Sequence, residues 1–214
     1  MKTLALEFSS AQRSVAVAVA GRVVSEVIET GGRGTNALAM VDEALREAKL
    51  EREQIECLAI GLGPGSYTGI RASISVAQGW QLAHGVKLVG ISSAECLAAQ
   101  TQADGLKGRV NVVIDAQRGE FYVAGYEIAA DGRHEIIPLK LMGMEETQIL
   151  EKKGGIMIGP DVTRWFATGK ILYPRAATLA ELSARRTDFV SGEKLEPIYL
   201  REAHFVKAPP PRVF

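Results

Sequence analysis

The chain has 214 residues, 47% hydrophobic and 23% charged, and its 25 Lys+Arg balance 25 Asp+Glu to give a formal net charge of zero. Such a composition supports one large domain or two small lobes with a buried core, and it excludes a disordered chain, a coiled coil and a basic nucleic-acid binder. No apolar run reaches the roughly 18 residues that a spanning helix needs, and the opening MKTLALEFSS lacks the features of a secretion signal, so a cytoplasmic protein that does not engage membranes is expected.

Cys57 and Cys96 stand far apart in apolar surroundings and read as small buried hydrophobes rather than as a disulfide or a zinc site. Residues 1–104 hold 9 Lys+Arg and 11 Asp+Glu, and residues 105–214 hold 16 and 14, so neither half has an autonomous basic footprint.

Alternation of apolar and polar residues predicts strands at Thr3–Phe8, Ser14–Ala20 and Arg22–Glu29, with Gly21 turning the second hairpin. Thr35 is placed to cap a helix whose stripe is Leu38, Val41, Leu45 and Ala48. A buried strand at Leu58–Leu62 leads through a glycine-rich turn into a helix, Ile70–His84, stopped by Gly85. A strand at Val86–Ile91 and a helix capped by Ser92 complete the first half. The second half repeats the order with strands at Val110–Asp115, Phe121–Ile128 and His134–Leu139, and a helix at Glu145–Lys153. A strand at Ile156–Ile158, a short helix at Val162–Ala167, a strand at Ile171–Tyr173 and a helix at Thr178–Arg186 follow.

Two βββαβα lobes, residues 1–104 and 105–201, with a Pro-rich tail at 202–214, give an α/β chain laid out like the actin-like, ribonuclease H-like ATPase fold. In that superfamily a nucleotide lies between the lobes, and strand-end carboxylates hold Mg²⁺. Glu7 and Asp115 occupy the strand-end positions here. The candidate nucleotide set is Glu7, Ser9, Ser10, Gly63, Gly65, Ser66 and Asp115, with ATP or ADP and Mg²⁺ at a lobe or subunit interface. The alternative for the same residues is a hydrogen-bonded strand end and a structural turn capped by Ser66 or Thr68.

The run Gly61-Leu62-Gly63-Pro64-Gly65-Ser66-Tyr67-Thr68-Gly69-Ile70-Arg71 is neither a Walker A motif nor a dinucleotide fingerprint. It resembles the GxGPGSFTGLR signature of the bacterial TsaB (YeaZ) family. Three further stretches agree with that family in order: Leu4–Ser10 followed by Ser14–Val17, Asp115–Tyr122, and Pro197–Arg201. The resemblance implies a non-catalytic scaffold that pairs with a TsaD-like catalytic subunit in the threonylcarbamoylation of tRNA adenosine beside the anticodon. It also implies a TsaE-like ATPase as a further partner, indirect contact with tRNA, and a homodimer when the chain is alone.

The chain departs from the family pattern at Glu7, where Asp is usual, at Phe8, where Thr is usual, and across residues 31–36. A protease is excluded because His84, His134 and His204 are isolated, with no His-x-x-x-His pair for a metal and no GxSxG nucleophile turn. A stand-alone ATPase or small-molecule kinase remains the alternative function, weakened by the glycine-free first turn. Small residues on the helix Ile70–His84 suggest contact on more than one side. In the family its first two helices form the partner interface, which places Leu38, Met40, Val41, Ala44, Ala72, Ser73, Val76, Ala77 and Trp80 there. The tail, with Lys207, Arg212 and three consecutive prolines, is expected to be extended.

Overall fold

A computed structural model describes residues 1–31 and 36–201. Thr35 and the tail from Glu202 to Phe214 lie outside the described residues, as does most of the 31–36 segment. The first three strands, β1 (Lys2–Glu7), β2 (Gln12–Val19) and β3 (Arg22–Thr30), form an antiparallel meander. Ala20 and Gly21 turn the second hairpin with φ of 50° and 79°, the double left-handed geometry that suits the twist of paired strands.

Helix α1 (Ala37–Ala48) is capped by Asn36, whose side chain accepts from the Leu38 and Ala39 N–H groups. Strand β4 (Cys57–Gly61) runs parallel to β1, helix α2 (Tyr67–His84) follows, and β5 (Lys87–Ile91) lies parallel to β4. Gly85 closes α2 in the left-handed conformation, and Ser92 caps α3 (Ser93–Ala103).

The second half holds β6 (Gly108–Asp115), β7 (Glu120–Ile128), β8 (Arg133–Gly143), α4 (Met144–Lys152), β9 (Ile156–Gly159), the two-residue β10 (Lys170–Ile171) and α5 (Ala176–Ser183). The short helix expected at Val162–Ala167 is a single 3-10 turn, Val162–Arg164. The sheets are ordered β3-β2-β1-β4-β5 and β8-β7-β6-β9-β10. Two successive sheets with one strand order make this the actin-like, ribonuclease H-like fold.

The alternation in β1 and β2 sorts side chains by size as well as polarity. Leu4, Leu6, Val15 and Val17 face α1 and α2, where Met40, Val41, Ile70, Ile74 and Trp80 complete the core. Ala5, Ala16, Ala18 and Ala59 face the other way, and their small size lets Ala176, Leu179 and Ala180 of α5 pack closely. Glu26 accepts from the Ala177 N–H, placing a carboxylate at the positive end of α5, and is ion-paired with Arg175.

Helix α5 therefore packs on the first sheet, although it follows the second sheet in sequence. The chain after it stays there. Val190 donates its N–H to the Leu88 carbonyl at 2.9 Å, Leu195 enters the α1–α2 core, and Ile198 donates to the Leu62 carbonyl at 2.9 Å. Helix α3 takes the reciprocal position, with Ala94, Leu97 and Ala98 packed against Val110, Val112 and Tyr126 of the second sheet.

Candidate functional site

The four signature stretches, spread over residues 4–201, meet at one end of the molecule. At the end of β1 Glu7 is fully buried. Its Oε1 accepts from the Ser9 N–H at 2.7 Å and its Oε2 from the Ser93 hydroxyl at 2.9 Å. Gly61 makes room for it, since a Cβ there would lie 2.1 Å from Glu7 Oε2. Burial pushes the Glu7 carboxyl above its ordinary value, against hydrogen bonds from Ser9 and Ser93 that lower it.

The glycine-rich run sits directly on the β1–β2 turn. The Ser66 N–H donates to the Ser9 carbonyl at 2.7 Å, and a Cβ on Gly65 would lie 2.1 Å from that oxygen. A Cβ on Gly69 would lie 2.0 Å from the Phe8 carbonyl. Gly63 accepts from the Ser93 N–H at 2.8 Å, tying the run to α3. Ser66 caps α2 by accepting from Gly69, which starts the helix at Tyr67, three residues before the expected start.

Asp115 repeats the Glu7 arrangement at the end of β6. Its Oδ1 accepts from the Gln117 N–H at 2.7 Å and its Oδ2 from the Gln117 side chain at 2.8 Å. Arg201 then clamps this turn, donating to the Ala116 and Gln117 carbonyls at 2.9 and 3.2 Å and pairing with Glu120. The stretches Asp115–Tyr122 and Pro197–Arg201 thus act as one unit. Arg201→Ala should speed amide hydrogen exchange at Gln117–Glu120 by tenfold or more while leaving β1–β5 protected, as loss of a charge-assisted clamp of about 1.5–3 kcal/mol implies. Unchanged exchange there would show the turn to be self-supporting.

A phosphate or Mg²⁺ does not fit the β1–β2 turn as built. Both Glu7 oxygens have protein donors, Ser9 and Ser10 are buried, and the Ser9 and Ser66 N–H groups are spent on Glu7 and Ser9. The space left by Gly65 and Gly69 is filled by backbone of the same chain. Among the described residues, no three His, Cys, Asp or Glu side chains are grouped closely enough to hold a metal ion.

Glu7 sets a pH test. Its raised pKa means that the unfolded chain ionises first as pH rises, so its contribution to stability is full below the ordinary value near 4.5 and declines above it. Glu7→Gln keeps the shape and removes the charge. The thermal midpoint of the variant should therefore gain on the unaltered protein as pH rises from 4.5 toward neutrality; parallel pH profiles would contradict this.

A second surface lies on α1 and α2. Met40, Val41, Ala44, Ser73, Ala77 and Trp80, expected at an interface, are buried within the chain. Their apolar spacing fits the chain's own sheet, which occupies that side of both helices. Leu38, 52% exposed, remains at the surface, and Ala72 and Val76 are half-buried. Leu38, Val76, Gly79, Ala83 and His84 line a groove of about 430 Å³ floored by Trp80. Leu82, next to Ala83 in α2, is 89% exposed. Sequence reasoning passed over Leu82 and Ala83, although Ser75, Gly79 and Ala83 recur at a four-residue spacing on the outward side of α2.

The fold and its converging turns define a two-lobed actin-like protein whose first phosphate-type turn is filled by its own glycine-rich loop. A family model described as TsaD, tRNA N6-adenosine threonylcarbamoyltransferase, matches residues 34–202. The tRNA threonylcarbamoyladenosine biosynthesis protein TsaB of Haemophilus influenzae is 32% identical over 188 residues, covering 77% of this chain and 78% of that protein. Its Escherichia coli counterpart is 27% identical over 189 residues, with the same two shares. The solved structure of YeaZ from Pseudomonas aeruginosa superposes with a TM-score of 0.80 at 25% identity, over 93% of this chain and 99% of that one. The chain belongs to the TsaB (YeaZ) family.

Proposed function

We propose that this chain serves tRNA threonylcarbamoyladenosine biosynthesis as a non-catalytic scaffold, holding a TsaD-like catalytic subunit against the outward side of α1 and α2. The observation that carries this reading is Gly79. It lies in mid-helix and exposed, and a Cβ there would meet nothing within 4 Å. A glycine at such a position costs a helix roughly 0.8–1 kcal/mol relative to alanine, and nothing among the described residues requires it. A helix of another subunit crossing at Gly79 does require it, because small residues at Ser75, Gly79 and Ala83 allow two helix backbones to approach closely.

The adjoining groove, lined by exposed Leu38, and the exposed Leu82 of the same helix α2 supply apolar area for such a contact. A TsaE-like ATPase joins the assembly in this reading, and the same surface supports a homodimer when the catalytic subunit is absent. The filled β1–β2 turn argues against the competing reading, a stand-alone ATPase or kinase. Any ATP or ADP with Mg²⁺ is then assigned to the subunit interface.

Co-expression with the TsaD-like protein of the same genome tests the proposal. A stable complex, and loss of threonylcarbamoyladenosine from tRNA when this chain is deleted, are expected. Undiminished modification without the chain would overturn the reading, as would micromolar ATP binding with turnover by the chain alone.

A further inference from the structure

Beside the Arg201 clamp, Tyr67 of α2 and Tyr199 of the closing segment stack with ring centroids 5.6 Å apart and planes 23° from parallel. The Arg71 guanidinium lies 5.2 Å from the Tyr67 ring centre and also faces the Tyr199 phenol. Despite this mutual contact Tyr67 is 58% and Tyr199 47% exposed, so much ring surface remains open to solvent. Ile198, next to Tyr199, is bonded to Leu62 of the first half, and Arg201 to the β6–β7 turn of the second, which puts the cluster at the junction of the lobes.

The local charge is one-sided. Arg71 and Arg118 are exposed and have no acidic partner among the described residues, whereas Glu120 is paired with Arg201 and the Asp115 carboxylate is spent on Gln117. An aromatic surface edged by guanidinium groups without acidic partners among the described residues is complementary to a planar base carrying phosphates, because every base has a face to stack and each phosphate recruits a cation. A surface of this kind would be wasted on an apolar partner, which leaves Arg71 and Arg118 to be desolvated without compensation.

We infer that Tyr67, Tyr199 and Arg71 form a stacking platform for an unpaired base of single-stranded RNA, with Arg118, on the turn that Arg201 clamps, as the cation for a neighbouring phosphate. The choice of RNA over a free nucleotide rests on the proposed role in tRNA modification. The platform lies at the N-terminal end of α2, whereas the proposed subunit contact lies toward its C-terminal end. The two can therefore fail separately.

The test uses the full-length chain, alone and with its TsaD-like subunit, and a 17-nucleotide hairpin RNA carrying 2-aminopurine in its loop, a base whose fluorescence falls on stacking. Saturable quenching is expected for the unaltered protein. The Tyr67→Ala/Tyr199→Ala pair should weaken it at least tenfold, in line with about 1–3 kcal/mol per stacked base. Arg71→Ala and Arg118→Ala should each reduce the salt slope by roughly one. Subunit association, measured by sedimentation on the tyrosine pair, should be unchanged, so its loss alone would bear on the scaffold reading. Absence of quenching at low salt, or quenching that survives the tyrosine substitutions in a folded protein, would overturn the platform. Saturable binding of ATP but not of the hairpin would overturn the assignment to RNA.

Discussion

Gly69→Ala should lower the thermal midpoint by roughly 6–12 °C, whereas Gly79→Ala, ten residues along the same helix, should raise it by about 2 °C. The first estimate takes an overpacking cost of about 3 kcal/mol and roughly 2–4 °C per kcal/mol for a chain of this size. A Cβ at Gly69 would sit 2.0 Å from the carbonyl of Phe8, whose side chain is fully buried, so neither α2 nor the β1–β2 turn has room to yield. At Gly79 the added methyl meets open space, and helix propensity gains roughly 0.8–1 kcal/mol. One substitution in one element thus changes sign with the company the glycine keeps. Calorimetric melts of both variants decide it. A Gly69→Ala protein within 1 °C of the unaltered chain would mean that the loop is not pressed on the β1–β2 turn.

Gly79→Arg should weaken the proposed association with the TsaD-like subunit at least 100-fold, about 2.7 kcal/mol, the scale of losses seen when the centre of an interface is disrupted. The thermal midpoint of the isolated chain should change by no more than about 2 °C, because the new side chain projects into solvent. Threonylcarbamoyladenosine in tRNA, measured by nucleoside mass spectrometry in cells carrying only the variant, should fall with the complex. Leu38→Asp, at the groove's other margin, should act in the same direction but less, since a rim position excludes less water. Complex formation by Gly79→Arg at unaltered affinity would remove the basis for placing the subunit on this side of α2.

Both meanders and the repeated element order are legible in the sequence because they are local: alternation marks each strand and Gly21 marks the turn. The helix stop at Gly85 and the cap at Ser92 are local signals too. What periodicity does not encode is the identity of the occupant of each apolar side. Met40, Val41, Ala44, Ala77 and Trp80 are apolar at helical spacing whether their partner is the chain's own sheet or another protein, and they pack on the sheet.

The environment of Glu7 was hidden for a related reason. A strand-end carboxylate reads alike whether it meets a metal or a serine, and the features that bury it, Gly61 and Ser93, lie 54 and 86 residues further along the chain. Glycine spacing likewise reports that something approaches closely, and the approaching group at Gly65 and Gly69 is the backbone of Ser9 and Phe8. The convergence of Tyr67 with Tyr199 and of Asp115 with Arg201 is tertiary, and no local pattern announces it.

The return of α5 to the first sheet bears on how the protein is made. While the chain is being synthesised, the alanine side of β1, β2 and β4 lacks the cover of α5 until residues 176–183 have left the ribosome. At about 5–20 residues per second that interval after β5 lasts on the order of ten seconds. During it the first sheet exposes an apolar side, and a fragment ending near residue 104 would carry that defect permanently. Completion of the first lobe thus waits for synthesis of the second, which couples the two halves in time as well as in space.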